Sequence, residues 1–213
     1  KAGLGILLEY RSEPESRSTR SVILNPAMSY VSGKPVLGVI GAGNYASRVL
    51  IPAFKNAGAQ LHTLVTAGGI SGVVHGNKSG FSEASTDIDA MLKNETINTV
   101  AIVTRHDSHA SMVKQALVAG KHVFVEKPLA INLDELSGVQ EAYESAHSSG
   151  SGPRLMVGFN RRFSPQVQKM KALLEPVKEP KSFIMTMNAG AIPADHWTQD
   201  NTIGGGRIIG EGC

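Results

Sequence analysis

Residues 36–58, VLGVIGAGNYASRVLIPAFKNAG, constrain this chain more than any other stretch. Val36, Leu37, Val39 and Ile40 form a short apolar run rich in β-branched residues, and helical spacing begins after Gly41-Ala42-Gly43-Asn44-Tyr45-Ala46. A strand, a tight turn and a helix are expected in that order. The spacing is G-x-G-x-x-A, in which Gly41 permits the turn, Gly43 lets a pyrophosphate approach the backbone and Ala46 keeps the helix close to the strand. Amides at the helix start would then face the phosphate charge. Glycine is common in ordinary βα turns, so the order of the elements carries the dinucleotide reading rather than the glycines alone.

Ala46, Val49, Leu50, Ala53, Phe54 and Ala57 give the helix an apolar face, and Pro52 should bend it. Residues 61–66, LHTLVT, are the expected second strand. An Asp or Glu at its end would bond the ribose hydroxyls of NAD, whereas a small polar residue with a nearby cation would admit the extra phosphate of NADP. Here the sequence reads Val65-Thr66-Ala67-Gly68-Gly69, without a carboxylate. Thr66 with His75 or Lys78 downstream favours NADP slightly over NAD.

Residues 87–92 fit a short helix capped by Thr86 or Asp87. Residues 99–104, TVAIVT, read as a strand buried on both faces of a parallel sheet, ending in Thr104-Arg105-His106-Asp107-Ser108-His109. Those polar groups fall where ligands bind in open α/β sheets. His106 and His109 have metal-pair spacing, but no third ligand is evident nearby, so no metal is assigned. Residues 122–125 are a further strand running into Glu126-Lys127-Pro128. An ammonium there would steady an alkoxide as hydride leaves its carbon, and the alternative is a solvated lysine before a helix.

Residues 129–147 have helical spacing, residues 155–158 end this half as a strand, and Arg161 and Arg162 follow between Phe159 and Phe163. A helix is expected from Pro165 to Leu174. Phe183, Met185 and Met187 then alternate with Ile184, Thr186 and Asn188, as in a strand of a new sheet. Three parts are expected: a linker-like extension over residues 1–35, a dinucleotide-binding domain over 36–163, and the start of a second domain over 164–213.

Composition narrows the partners. The 213 residues are 41% hydrophobic and 18% charged, as in an ordinary globular protein. A net charge of +3, spread along the chain, does not indicate a nucleic-acid surface. No apolar run approaches a membrane span and no signal core is evident, so a cytoplasmic protein is expected. The single cysteine, Cys213, excludes an internal disulfide. The absence of an initiator Met and the apolar run at residues 4–8 make the chain read as part of a longer polypeptide.

Six segments together, GVIGAGNYA at 38–46, VTRHDSHA at 103–110, VEKPLA at 125–130, GFNRRFSP at 158–165, NAGAIPADHW at 188–197 and GGGRIIGEG at 204–212, resemble the Gfo/Idh/MocA oxidoreductases. The resemblance implies a Rossmann domain followed by an α/β domain with a mainly antiparallel sheet. It further implies hydride transfer between NAD or NADP and a carbinol or carbonyl carbon of a sugar, cyclitol or nucleotide sugar, in a homo-oligomeric protein. Carried onto this chain, Gly41, Gly43, Asn44 and Tyr45 match the pyrophosphate turn and Thr66 the ribose-selecting position. Thr104, His106 and His109 match the segment along the riboses, Glu126 and Lys127 the nicotinamide side, and Arg161 and Trp197 positions near cofactor or substrate. Lys127 is the expected catalytic residue. The family's acid/base histidine would follow the run at 204–212, beyond Cys213, so this chain is expected to bind cofactor with little turnover. A non-catalytic NAD(P)-binding module is the alternative. KAGLGILLEY at 1–10 also resembles the end of an alcohol dehydrogenase-like module, as in two-domain oxidoreductases.

Overall fold

The computed structural model describes residues 19–186, 188 and 190–212, so the readings on residues 1–18, Met187 and Cys213 lie outside the described residues. The elements in chain order are β1 (Ser21–Ile23), β2 (Val36–Ile40), α1 (Ile51–Asn56), β3 (Gln60–Val65), α2 (Ile70–Ser79), β4 (Glu83–Ser85), α3 (Ile88–Lys93), β5 (Thr99–Ile102), α4 (His109–Val118), β6 (His122–Glu126), α5 (Leu133–Ala146), β7 (Leu155–Gly158), α6 (Pro165–Leu174) and α7 (Gly206–Glu211). The strands form one seven-stranded sheet in the order β1-β4-β3-β2-β5-β6-β7, parallel except for β1 against β4.

The chain winds outward from β2 through β3 to β4, then returns to the other side of β2 and winds outward through β5, β6 and β7. A crevice forms at such a reversal, outside the carboxyl ends of the strands. β2 is buried on both faces. Leu37 and Val39 join Leu61, Leu64, Phe81 and Ala101 in one core cluster, while Val36 and Ile40 join Val100, Ile102 and Val113 in the other. Helices therefore cover both faces, which explains why β2 and β5 read as continuous apolar runs.

Local chemistry sets the helix boundaries. A π turn over Ala46–Leu50 precedes α1, with the Ile51 amide donating to the Ala46 carbonyl. Pro52 follows directly, in the first turn of α1, where its missing amide leaves no carbonyl of that helix unpaired. Asp87 caps α3 by accepting from the Ala90 amide. Asn132 caps α5 through the Glu135 amide while the Glu135 carboxylate accepts from the Ile131 amide. That reciprocal pair starts α5 at Leu133, so residues 129–132 are not helical as expected. α6 forms over Pro165–Leu174 as expected, capped by Ser164.

Three further differences stand out. Residues 70–79 form α2, where no helix was expected. The apolar patch at residues 22–24 is not only linker: Ser21–Ile23 adds an edge strand to the sheet. The strand expected across 183–188 is absent among the described residues, which show no regular structure there. A strand persists only as one side of a ladder, and no other described strand pairs with this segment.

Candidate dinucleotide site at the carboxyl edge

Strand register brings the candidate residues to one edge. Ser85, Val65, Ile40, Ile102, Val125 and Val157 stand side by side across six parallel strands, and the residues that leave them are Thr86, Thr66, Gly41, Val103, Glu126 and Gly158. Six separate loops thus emerge along one rim.

The centre of the rim is the glycine turn. Gly41 has φ +106°, and a Cβ there would lie 2.7 Å from the Val103 carbonyl oxygen. Both the turn and the contact with the β5 loop require glycine. Gly43 is exposed and has open space around its Cβ position. The first bond of the following turn runs from the Ser47 amide to the Gly43 carbonyl at 2.9 Å. The amides of Asn44 and Tyr45 precede it, at the positively polarised end of the helix. An open glycine beside leading amides fits a pyrophosphate.

Tyr45 and the β7 loop close one side. The Tyr45 hydroxyl accepts from Asn160 Nδ2 at 2.8 Å, and these residues line a cavity of about 140 Å³ with Phe124 and Glu126. Arg161 lies on the exposed turn Asn160–Phe163 that follows.

β6 supplies Glu126 and Lys127. Glu126 Oε1 is buried without a hydrogen-bond partner, close enough to β7 that a Cβ on Gly158 would stand 2.7 Å from it. Burial pushes its carboxyl above the ordinary carboxylate range, opposed by the Lys127 amide and ammonium. Lys127 Nζ donates to the Gly210 carbonyl on α7. Two of its three N–H donors remain for another acceptor.

The two histidines do different things. His109 is fully buried, with Nδ1 2.7 Å from the Pro128 carbonyl and Nε2 3.2 Å from the Thr104 carbonyl. As a neutral imidazole it has one N–H, which the shorter contact assigns to Nδ1 donating to the Pro128 carbonyl, so it ties the start of α4 to the β6 loop and has no surface to offer a ligand. His106 Nδ1 donates to the Gly204 carbonyl at 2.8 Å, and the Asp107 amide donates to the Ile203 carbonyl at 3.0 Å. Trp197 stacks edge-on against His106 at 4.9 Å and lies under the Arg105 guanidinium at 5.6 Å. Residues 197–210 are therefore docked on the β5 and β6 loops. Thr104 Oγ1 pairs with Ser108 Oγ at 2.6 Å. Among the described residues, no group of three His, Cys, Asp or Glu side chains could hold a metal ion.

Thr66 sits at the expected strand end but its side chain is turned inward. It is 8% exposed, its hydroxyl lacks a partner, and a Cβ on Gly72 of α2 would lie 2.9 Å from that oxygen. His75 and Lys78 lie further along α2, which starts beside this rim at Ile70. Two participants lay inside segments that carry the family resemblance but were not singled out there: Asn160, which bonds Tyr45, and Gly210, the acceptor for Lys127.

A mainly parallel sheet covered on both faces, with the glycine turn at its point of reversal, is the arrangement of a Rossmann domain. Residues 36–152 match the model of the oxidoreductase family with an NAD-binding Rossmann fold, and the chain belongs to that Gfo/Idh/MocA family. It is 32% identical over 119 residues to the scyllo-inositol 2-dehydrogenase (NAD(+)) of Bacillus subtilis, covering 54% of this chain and 33% of that one. It is 25% identical over 183 residues to the D-xylose 1-dehydrogenase (NADP(+)) 2 of Haloferax volcanii, covering 84% of this chain and 54% of that one. An NAD-binding protein from Listeria innocua has a similar fold, with a TM-score of 0.70, 24% identity, and coverage of 84% of this chain and 52% of that one. The chain spans about half or less of the length of these relatives. No helix among the described residues is long and apolar enough to cross a membrane.

Proposed function

We propose that this chain binds NAD or NADP along the carboxyl rim, and that the whole protein uses it to transfer hydride to or from a carbinol or carbonyl carbon of a sugar, cyclitol or nucleotide sugar. The observation that carries this reading is the apposition of Gly41 to the Val103 carbonyl, with Gly43 open beside the leading amides of a helix. The backbone at Gly43, Asn44 and Tyr45 holds the pyrophosphate, and Thr104 and His106 border the path toward Glu126 and Lys127. Bound nicotinamide supplies or accepts the hydride.

Lys127 polarises the substrate oxygen. Its ammonium keeps one bond to Gly210 and directs another at the oxygen, where negative charge develops as the carbon–hydrogen bond forms or breaks. The hydroxyl proton needs a general base other than the Lys127 ammonium, which has no lone pair with which to accept it. The dehydrogenases of Bacillus subtilis and Haloferax volcanii support the substrate class, since their names specify an inositol and a pentose.

Calorimetric titration of the chain with NADH and with NADPH tests the reading. Micromolar binding of either agrees with it. If neither binds to the folded chain, the rim is not a dinucleotide site.

A further inference from the structure

The cation beside the ribose-selecting end of β3 comes from the opposite end of the sequence neighbourhood. Arg20 immediately precedes β1, and the pairs Ser21–Ser85 and Ser85–Val65 carry it onto the same rim as Thr66. Two bonds extend that rim past the ladders: the Thr66 amide donates to the Ser85 carbonyl at 3.0 Å, and the Thr86 amide to the Arg20 carbonyl at 2.8 Å. With adjacent strands about 4.8 Å apart, the Arg20 backbone stands roughly 10 Å from that of Thr66. An extended arginine side chain covers most of that distance.

Its head group is available. The Arg20 side chain is 76% exposed, and Nη1 meets Asp87 Oδ2 at 3.3 Å. Asp87 is held in place as the cap of α3, so this contact steers the guanidinium while leaving most of its five N–H donors unused. Arg20, Gly69, Ile70 and Thr86 together line a cavity of about 310 Å³ at the start of α2.

The other cations are worse placed. His75 and Lys78 lie about 7.5 and 12 Å along α2 from Ile70, away from the rim. Lys55 donates to the Ser79 carbonyl at the far end of α2. Arg105 is turned onto Trp197.

We propose that Arg20 reads the 2′-phosphate of NADP, so that a strand preceding the glycine turn sets cofactor choice where Thr66 cannot. The proposal rests on the dinucleotide reading of the rim. A guanidinium fork suits a terminal phosphate, with two parallel N–H donors to two oxygens, and a 2′-hydroxyl offers it far less.

Titration of the chain and of its Arg20→Gln and Arg20→Lys variants with NADPH and with NADH decides it. The chain should bind NADPH more tightly than NADH. Arg20→Gln should weaken NADPH at least tenfold and leave NADH within twofold, and Arg20→Lys should fall between. Equal affinities of the unaltered chain for the two cofactors, or NADPH binding indifferent to Arg20→Gln, would overturn the role of Arg20 while leaving the dinucleotide site intact. Binding of neither cofactor would overturn both.

Discussion

Gly41 approaches Val103 so closely that an added Cβ would lie 2.7 Å from the Val103 carbonyl, whereas a Cβ on Gly43, two residues on, would meet nothing within 4 Å. The first glycine serves the fold and the second is free to serve a ligand. Gly41→Ala should destabilise the domain by about 1–3 kcal/mol through the clash and the positive φ. Gly43→Ala should leave stability within about 0.5 kcal/mol and weaken cofactor binding at least tenfold. Urea unfolding and calorimetry on the two variants separate these effects.

His109 predicts how stability depends on pH. Burial lowers its pKa, with the Pro128 and Thr104 carbonyls opposing. The unfolded chain takes up the proton first, near pH 6.5, so the contribution of neutral His109 is complete above that pH and is lost as pH falls toward the folded value. The slope should approach ~1.4 kcal/mol per pH unit for one proton. His62 is lowered by burial too and adds the same sign. Glu126 has the opposite sign: its pKa is raised, so its contribution is lost as pH rises above the ordinary carboxylate value. His109→Gln should reduce the slope of unfolding free energy between pH 5 and 6.5, and Glu126→Gln should raise stability at pH 7. An unchanged slope in His109→Gln would contradict the buried-neutral assignment.

Lys127 distinguishes an enzyme from a binding module. In the full-length protein, Lys127→Ala should lower kcat by about a hundredfold or more and change cofactor affinity only a few-fold. A protein with no turnover to lose, or a loss confined to cofactor affinity, would favour the non-catalytic alternative.

The docking of residues 197–210 hangs on the β5 loop. His106→Ala removes the bond to the Gly204 carbonyl and the ring against Trp197, at a cost of about 1 kcal/mol. Trp197 is the only tryptophan in the chain, so its emission reports the change directly. A red shift, with faster hydrogen exchange at residues 203–210, is expected. An unshifted spectrum would mean that the segment is held elsewhere.

The sequence made the rim legible because its signals are local. Residues 36–46 carry strand, turn and helix within one short run, and the buried strands β5 and β6 advertise themselves by apolar continuity. α2 was hidden by glycines that weaken helix propensity yet are required by packing: a Cβ on Gly72 would strike Thr66 Oγ1, and one on Gly76 would lie 2.6 Å from Leu24 Cδ1. β1 is a three-residue strand whose existence depends on pairing with β4 across 60 residues or more, and β4, equally short, is held between β1 and β3. Thr66 directly follows β3, and its inward orientation depends on Gly72, a tertiary neighbour that the local sequence does not reveal. His109 likewise reads as a ligand in one dimension and proves to be a buried clasp in three.

A crystal structure of the chain with NADPH tests the central claim most directly. The pyrophosphate should lie over Gly43, within hydrogen-bonding distance of the Asn44 or Tyr45 amide, with the nicotinamide end toward Glu126 and Lys127. Cofactor bound elsewhere, such as in the apolar groove between Ile131, Leu136 and Ile208, would contradict it.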